Sequence, residues 1–317
     1  MGVPVASMKW IKSATATADG VASVGGAITD SSVQGNIIAD EDMSFFDTVT
    51  GAQAEAPNDF TEYRVAYIKN TQPVPGTDTG QNDASVVSVY LVRAPDKLKR
   101  RTGIGGAETG NAMPVISILV GNVDVAAPAV NEAGGAITET APAALPVRNG
   151  VKLTASDFIE PRGTNEGDRY NIPANKASFT HGTKNNEGVL TDGVTFLAKA
   201  AGTAGNSITV SLDTSNNGVS VSGTAVTISL AAASSPADIK AEVARNTDAA
   251  ALIEVLTAGS TNISSIGTTS LAGGSGSVIR AGRWVPVWIK RTYPAYSNPP
   301  ADDDVEFSLG VRWDSRE

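Results

Sequence analysis

The chain contains no cysteine. Disulfide staples, thiolate metal centres and cysteine nucleophiles are therefore excluded. Histidine is reduced to one residue, His181. A zinc site built on imidazoles needs several, and a Ser-His-Asp mechanism would have to use this one as its base. It lies in Thr180-His-Gly-Thr-Lys-Asn-Asn186, a polar segment with a glycine, where a histidine reads as exposed or hydrogen-bonding. No G-x-S-x-G elbow is present to supply a nucleophile. Aromatic residues make up only 5% of the chain, so its core must rest on Val, Ile, Leu and Ala. Charged residues reach only 18% against 41% hydrophobic ones, a balance that argues against disorder. No apolar run approaches the ~18 residues that a membrane-spanning helix needs. Residues Met1 to Ser13 lack the apolar stretch of a secretory leader, so retention in the cytosol is expected unless an assembly carries the protein out.

What is abundant is glycine (32) and proline (16), together with Ala, Thr and Ser. Many short strands joined by tight turns use residues in this way. The net charge is −9 and the sequence pI about 4.8, a surface that repels nucleic acid. The dense basic run, Lys97, Lys99, Arg100 and Arg101, reads as a solvated segment or a subunit contact. No nucleic-acid partner, membrane partner or cofactor is expected.

Strand signals dominate. Glu62 to Asn70 is rich in β-formers and reads as a well-buried strand, ended by Gln72-Pro-Val-Pro-Gly76. Ser85 to Arg93 and Pro114 to Val120 read as further strands, and residues 126–146, rich in Ala, Pro and Gly, as a loop or linker. Gly193 to Lys199, Ser207 to Leu212, Val219 with Val221, and Ala225 to Leu230 read as strands of a meander, with Asn217-Gly218 as its strongest hairpin dipeptide. A helix is expected after Ser235, its N-cap, with Pro236 at the first position, Asp238 in the first turn, and Ile239 and Val243 on the packed face. Ala249 to Leu256 continues it or forms a second short helix, and Ser260 to Leu271 returns as a strand. Arg283 to Arg291 carries bulky apolar residues, and Val305, Phe307, Leu309, Val311 and Trp313 keep a strict period of two. Two strands cannot stand alone, so the C-terminal segment must pair with the N-terminal one. The expected architecture is mainly β. Residues 1–150 and 278–317 form an Ig-like β-sandwich, and residues 151–277 form an inserted α+β module.

The remaining candidates for chemistry each have a plainer reading. Gly103-Ile-Gly-Gly-Ala-Glu-Thr-Gly110 lacks the third glycine of a dinucleotide loop and the lysine of a phosphate loop, and reads as a flexible loop. Asp302, Asp303 and Asp304 are a better calcium candidate than Asp40, Glu41 and Asp42. Neither run has EF-hand spacing, and acidic runs at turns serve solvation, so no metal is assigned. The same carboxylates could also flank a glycosidic bond in a carbohydrate-active reading. Trp284, Trp288 and Trp313 could stack on sugars, but their alternation with apolar residues favours a core or a subunit interface. Interface candidates are Trp284, Trp288, Arg291, Lys97, Arg100 and Arg101. No catalytic residue is assigned.

Two sets of residues carry a resemblance. Thr61-Glu-Tyr-Arg-Val-Ala-Tyr-Ile-Lys-Asn70 with Val285-Pro-Val-Trp-Ile-Lys-Arg-Thr292 resembles a family of tailed-bacteriophage virion proteins that pair such strands. Gly193 to Val210, with Ser222 to Ser229 and Leu271-Ala-Gly-Gly274, resembles a module recurring in phage tail and other virion proteins. The resemblance implies a structural protein of the virion, made in the host cytoplasm, working with other virion proteins as a symmetric homo-oligomer, and not an enzyme. A tail or baseplate position is favoured. A capsid decoration, neck or fibre protein is the alternative, and a carbohydrate-binding or calcium-dependent β-protein the second.

Overall fold

The computed structural model describes residues 8–12, 56–73, 82–95, 98–104, 106–121, 145, 147–149, 151–163, 165–185, 189–298 and 307–315. The strands in chain order are β1 (Met8–Lys12), β2 (Phe60–Asn70), β3 (Ala84–Arg93), β4 (Leu98–Arg101), β5 (Glu108–Ala112), β6 (Val115–Val120), β7 (Val147–Arg148), β8 (Val151–Lys152), β9 (Tyr170–Asn171) and β10 (Lys176–Lys184). They continue as β11 (Leu190–Ala201), β12 (Thr209–Asp213), β13 (Gly218–Ser222), β14 (Ala225–Ser229), β15 (Ile253–Ala258), β16 (Ile266–Ser270), β17 (Val278–Ile279), β18 (Trp284–Tyr293), β19 (Ser297–Asn298) and β20 (Ser308–Ser315). Helices α1 (Pro236–Arg245) and α2 (Thr247–Leu252) fall between β14 and β15. The protein is mainly β, with several antiparallel sheets in a sandwich-like arrangement.

The chain divides into two compact units. The first is residues 1–146, 153–172 and 278–317, and the second is 147–152 and 173–277. The expected boundary at 150/151 is displaced, because apolar anchors decide it. Leu153 and Phe158 pack on Tyr67 and Trp288, and Tyr170 and Ile172 enter the first unit's core. The stretch 153–172 therefore returns to the first unit, while the short hairpin β7–β8 goes to the second.

In the first unit one sheet has the order β1-β2-β18-β6 and a second has β17-β3-β20, with β9 also on β3. Their facing sides share one core. Ala66, Ile68, Ile116, Ile118, Val285, Val287 and Ile289 come from the first sheet, and Ala84, Val87, Val89 and Ile279 from the second. Phe307, Leu309, Val311 and Trp313 pack on this core at the period of two read from the sequence. The outer face of the first sheet is covered as well. There Tyr67, Leu119, Trp284 and Trp288 pack with Leu145 and Leu153. A strand buried on both faces has no polar side, which explains the nearly continuous apolar text of β18. Pro286 is tolerated mid-sheet because its carbonyl accepts from Gly121 at 3.2 Å. Its missing N–H thus points to the β6 side, where the ladder has already ended at Val120. The outer edge of β6 is closed by Ile159, which exchanges two 2.8 Å backbone hydrogen bonds with Ile118. A smaller sheet, β19-β4-β5, completes this unit.

The second unit joins a three-stranded sheet, β10-β11-β15, to a four-stranded one, β13-β14-β12-β16, around a core that also takes Ile239 and Val243 of α1. The helix begins as expected: Ser235 and Asp238 form a capping box, with Pro236 next to the cap. The expected meander is not what forms. β14 pairs β12 in parallel, and β13 pairs β14 alone, at the sheet edge. The hairpin is made at Gly223, whose φ of 61° suits a tight turn, and not at Asn217-Gly218. Asn217 instead accepts the backbone N–H of Ala231 at 2.7 Å. The second helix stops at Leu252, and the β-branched Ile253 and Val255 begin β15. Within 260–271 only Ile266–Ser270 is strand.

Candidate functional site

The polar residues of the two flanking motifs meet. β2 and β18 pair antiparallel over their whole length, with Arg291 opposite Glu62 and Ile289 opposite Arg64. Glu62, Arg64 and Arg291 therefore share the face of the sheet that carries Ala66 and Ile68. Arg291 grips the Glu62 carboxylate with two donors, Nε at 3.0 Å and Nη2. Arg64 stands 3.8 Å from the other carboxylate oxygen and donates to the Tyr63 carbonyl at 3.0 Å. All three side chains are buried: Arg64 is 0% exposed, Glu62 4% and Arg291 7%. A charge in such a place must be paired, and here two donors of one guanidinium converge on the Oε2 oxygen of Glu62.

At the other end of β2, the fully buried Asn70 serves as a junction. Its Nδ2 donates to the carbonyls of Asn82 (2.7 Å) and Ile279 (2.9 Å), its Oδ1 accepts from Gln72, and its backbone pairs with Gly282 and Arg283. On the outer face the Lys69 ammonium lies 4.2 Å from the Trp284 ring centre. Tyr63 and Lys290 are ladder partners there. Burial pushes the Tyr63 phenol above, and the Lys290 ammonium below, their ordinary values. An amine lowered in this way is what a proton-transfer site would use, whereas a phenol raised away from neutrality is not. Both, however, are spent on one ring: Phe158 meets Tyr63 edge-on at 5.6 Å and lies 5.1 Å from the Lys290 nitrogen. The pair reads as packing.

The motif of the second unit is consumed in the same way. Asn206 and Gly274 form a two-point clasp, Nδ2 to the Gly274 carbonyl and the Gly274 N–H to Oδ1, both at 2.9 Å. A side chain at Gly274 would run into the Gly202 carbonyl, and one at Gly205 into Ala198 and Ala177. Asp192, which the sequence reading did not single out, accepts the Thr261 backbone N–H at 3.2 Å. Its carboxyl is held below the usual range, first by the Thr261 side chain and then by backbone N–H groups of the same turn. Asn206 and Gly274 lie in text already marked by resemblance. Asp192 had no signal beyond standing next to Gly193.

The expected interface residues are divided by the structure. Trp284 (5% exposed), Trp288 (1%) and Arg291 are buried inside the first unit. The segment around Leu145, Leu153 and Phe158 packs with Trp284 and Trp288. Arg100 is exposed on β4, opposite Gly110, and Arg101 is half-buried beside it, so the basic run continues into a strand instead of a loop. Trp313 is half-buried on the sandwich core. The glycine run at 103–110 turns the β4–β5 hairpin, with Thr102 N–H to Ala107 O and Gly106 N–H to Gly103 O, and no helix follows to offer its N-terminus to a phosphate. His181 sits mid-strand in β10 opposite Val194. Lys97, Asp302, Asp303 and Asp304 lie outside the described residues, as do Asp40, Glu41 and Asp42. Among the described residues no three His, Asp or Glu side chains stand close enough to hold a metal ion. Comparison with protein-family models, with curated proteins and with solved structures finds no match to this chain.

Proposed function

We propose that this chain is a structural protein of a tailed-bacteriophage virion, a tail or baseplate component that works by assembling with further copies and with other virion proteins. One observation carries the reading. The two stretches that resemble the virion family are each other's ladder partners, and their polar residues are spent on holding the fold. In an enzyme, the residues that give a family its signature include some that face a substrate. Here Glu62, Arg64, Asn70 and Arg291 face a closed core. The acidic surface fits the role, because net charge keeps subunits apart until ordered contacts accumulate. Symmetric repetition is the economical way to build such contacts.

Mass spectrometry of purified particles that carry the gene tests this. The expected result is the intact chain at a copy number that is a multiple of the particle's rotational symmetry, retained in tails after heads are removed. Recovery with the heads would move the protein to a decoration or neck position. Absence from particles, with turnover of a glycan by the free monomer, would overturn the reading.

A further inference from the structure

Asn217-Gly218 is the dipeptide that a two-residue hairpin favours, yet no hairpin is made there. The pair instead ends the connection from β12 to β13. Residues 214–217 bend, and Gly218 opens β13 opposite Ser229, on the end rung of a ladder at the sheet edge. Asn217 is exposed, and its Oδ1 accepts the Ala231 N–H at 2.7 Å. The space over Gly218 is open, because a β-carbon there would have no atom within 4 Å. The chain holds a second such pair, Asn149-Gly150. Asn149 is half-buried in the β7–β8 turn, and its Oδ1 accepts the Lys176 N–H at 2.9 Å.

We infer that Asn217 is a modification site: it is where the folded chain deamidates, while Asn149 is protected. The Gly218 nitrogen attacks Cγ of Asn217 and a new N–Cγ bond forms. The Gly218 proton passes to the carboxamide nitrogen, whose bond to Cγ breaks, and ammonia leaves. Water then opens the five-membered imide at either carbonyl. One product is aspartate, and the other is isoaspartate, whose main chain runs through the former side-chain carbon. Three features point to Asn217. A following glycine places no side chain in the path of attack. The attacking nitrogen stands on the end rung of an edge strand, where a ladder opens most readily. The Ala231 N–H already rests on Oδ1, the atom that takes up negative charge in the tetrahedral intermediate. Asn149 also has a glycine after it and a donor on Oδ1. Its backbone, however, is held at φ of 53° in a two-residue turn between paired strands. Reaction there requires that turn to open and Lys176 to be released. Each event at Asn217 adds one negative charge, and the isoaspartate route also carries the acceptor away from Ala231. The inference concerns the second unit alone and does not rest on the assembly reading.

The test compares the two pairs within one chain. Purified protein is held in mildly alkaline buffer, which helps deprotonate the attacking nitrogen, folded in one arm and unfolded in urea in the other. Peptides carrying positions 217 and 149 are followed by mass spectrometry, with enzymatic methyl labelling of isoaspartate. In the folded arm the peptide with position 217 is expected to convert several-fold faster than the one with position 149, and the product to elute as a more acidic species on anion exchange. In urea the two should convert at similar rates, because both are Asn-Gly. The inference is overturned if position 149 keeps pace in the folded chain, or if position 217 is still an amide once the unfolded arm has reacted. Asn217→Gln is expected to remove the product, since its longer side chain closes the ring poorly. Persistence of the product in that variant would assign it to the adjacent Asn216 and overturn the inference as well.

Discussion

At the scale of the residue, the deciding fact is that three charged side chains are buried within one patch of β2 and β18. Removing water from Glu62 is costly, and the forked Arg291 guanidinium offsets that cost only while both partners are present. Arg291→Ala would leave a carboxylate in a closed core without its two donors. A loss of about 3–5 kcal/mol is expected for the first unit, read as a fall in the urea midpoint, whereas replacing Glu62, Arg64 and Arg291 together by apolar residues of similar volume should cost far less. A single variant indistinguishable from wild type would show that the pair does not matter to the fold. The two residues are visible in the sequence, but their pairing is not. Nothing local says that position 62 will stand opposite position 291.

At the scale of the element, a carboxylate fastens the start of β11 to the turn after β15. Asp192 accepts from the turn at Thr261, and Gly259, with φ of 66°, has no room for a side chain because Asp192 occupies it. The hydrogen bonds hold the folded-state pKa of Asp192 below its unfolded value. The sign follows from linkage. The folded state prefers the carboxylate, so its contribution is present above the unfolded value and is lost as pH falls through the lower folded value. Asp213 behaves alike, lowered first by the Ser215 hydroxyl. The melting temperature of the second unit is expected to fall as pH drops from about 5 towards 2, and Asp192→Asn should flatten part of that slope. An unchanged slope in the variant would assign the acid sensitivity elsewhere. Elements such as α1 were legible in advance, because a Ser cap, a Pro and an Asp in the first turn act within a few residues. The parallel pairing of β12 with β14 was not, because alternation tells which side of a strand is buried and says nothing of which strand lies beside it.

At the scale of the whole molecule, the second unit has a core of its own, and its ends come together. Asn175 and Ser275 bridge, and the Lys176 N–H reaches Asn149 in the β7–β8 turn at 2.9 Å. Residues 173–277 expressed alone are therefore expected to fold, with one cooperative thermal transition and dispersed amide resonances. A collapsed species without cooperative melting would mean that the unit depends on the rest of the chain. Extending the fragment back to 147 would restore the β7–β8 hairpin and the Asn149 hydrogen bond but would also carry 153–172, whose Leu153, Phe158, Tyr170 and Ile172 pack in the first unit. The division into an interrupted sandwich and an inserted module could be anticipated, because the last strands needed partners from elsewhere. The return of 153–172 to the sandwich could not, since Leu153, Phe158, Tyr170 and Ile172 are too sparse to read as an element.

The sequence by itself determined what depends on near neighbours. This covers the mainly β character, the one-sided strand at the C-terminus, the capped helix, and the exclusion of cysteine and multi-histidine chemistry. Only the tertiary structure decided which strands became neighbours. With that came the burial of Trp284, Trp288 and Arg291, which the sequence left between a core and a subunit interface, and the junctions at Asn70, Asp192 and Asn206. The physical reason is range. Propensity, periodicity and capping act over a few residues, whereas a ladder joins groups more than two hundred positions apart, and a side chain's surroundings exist only once that ladder has formed.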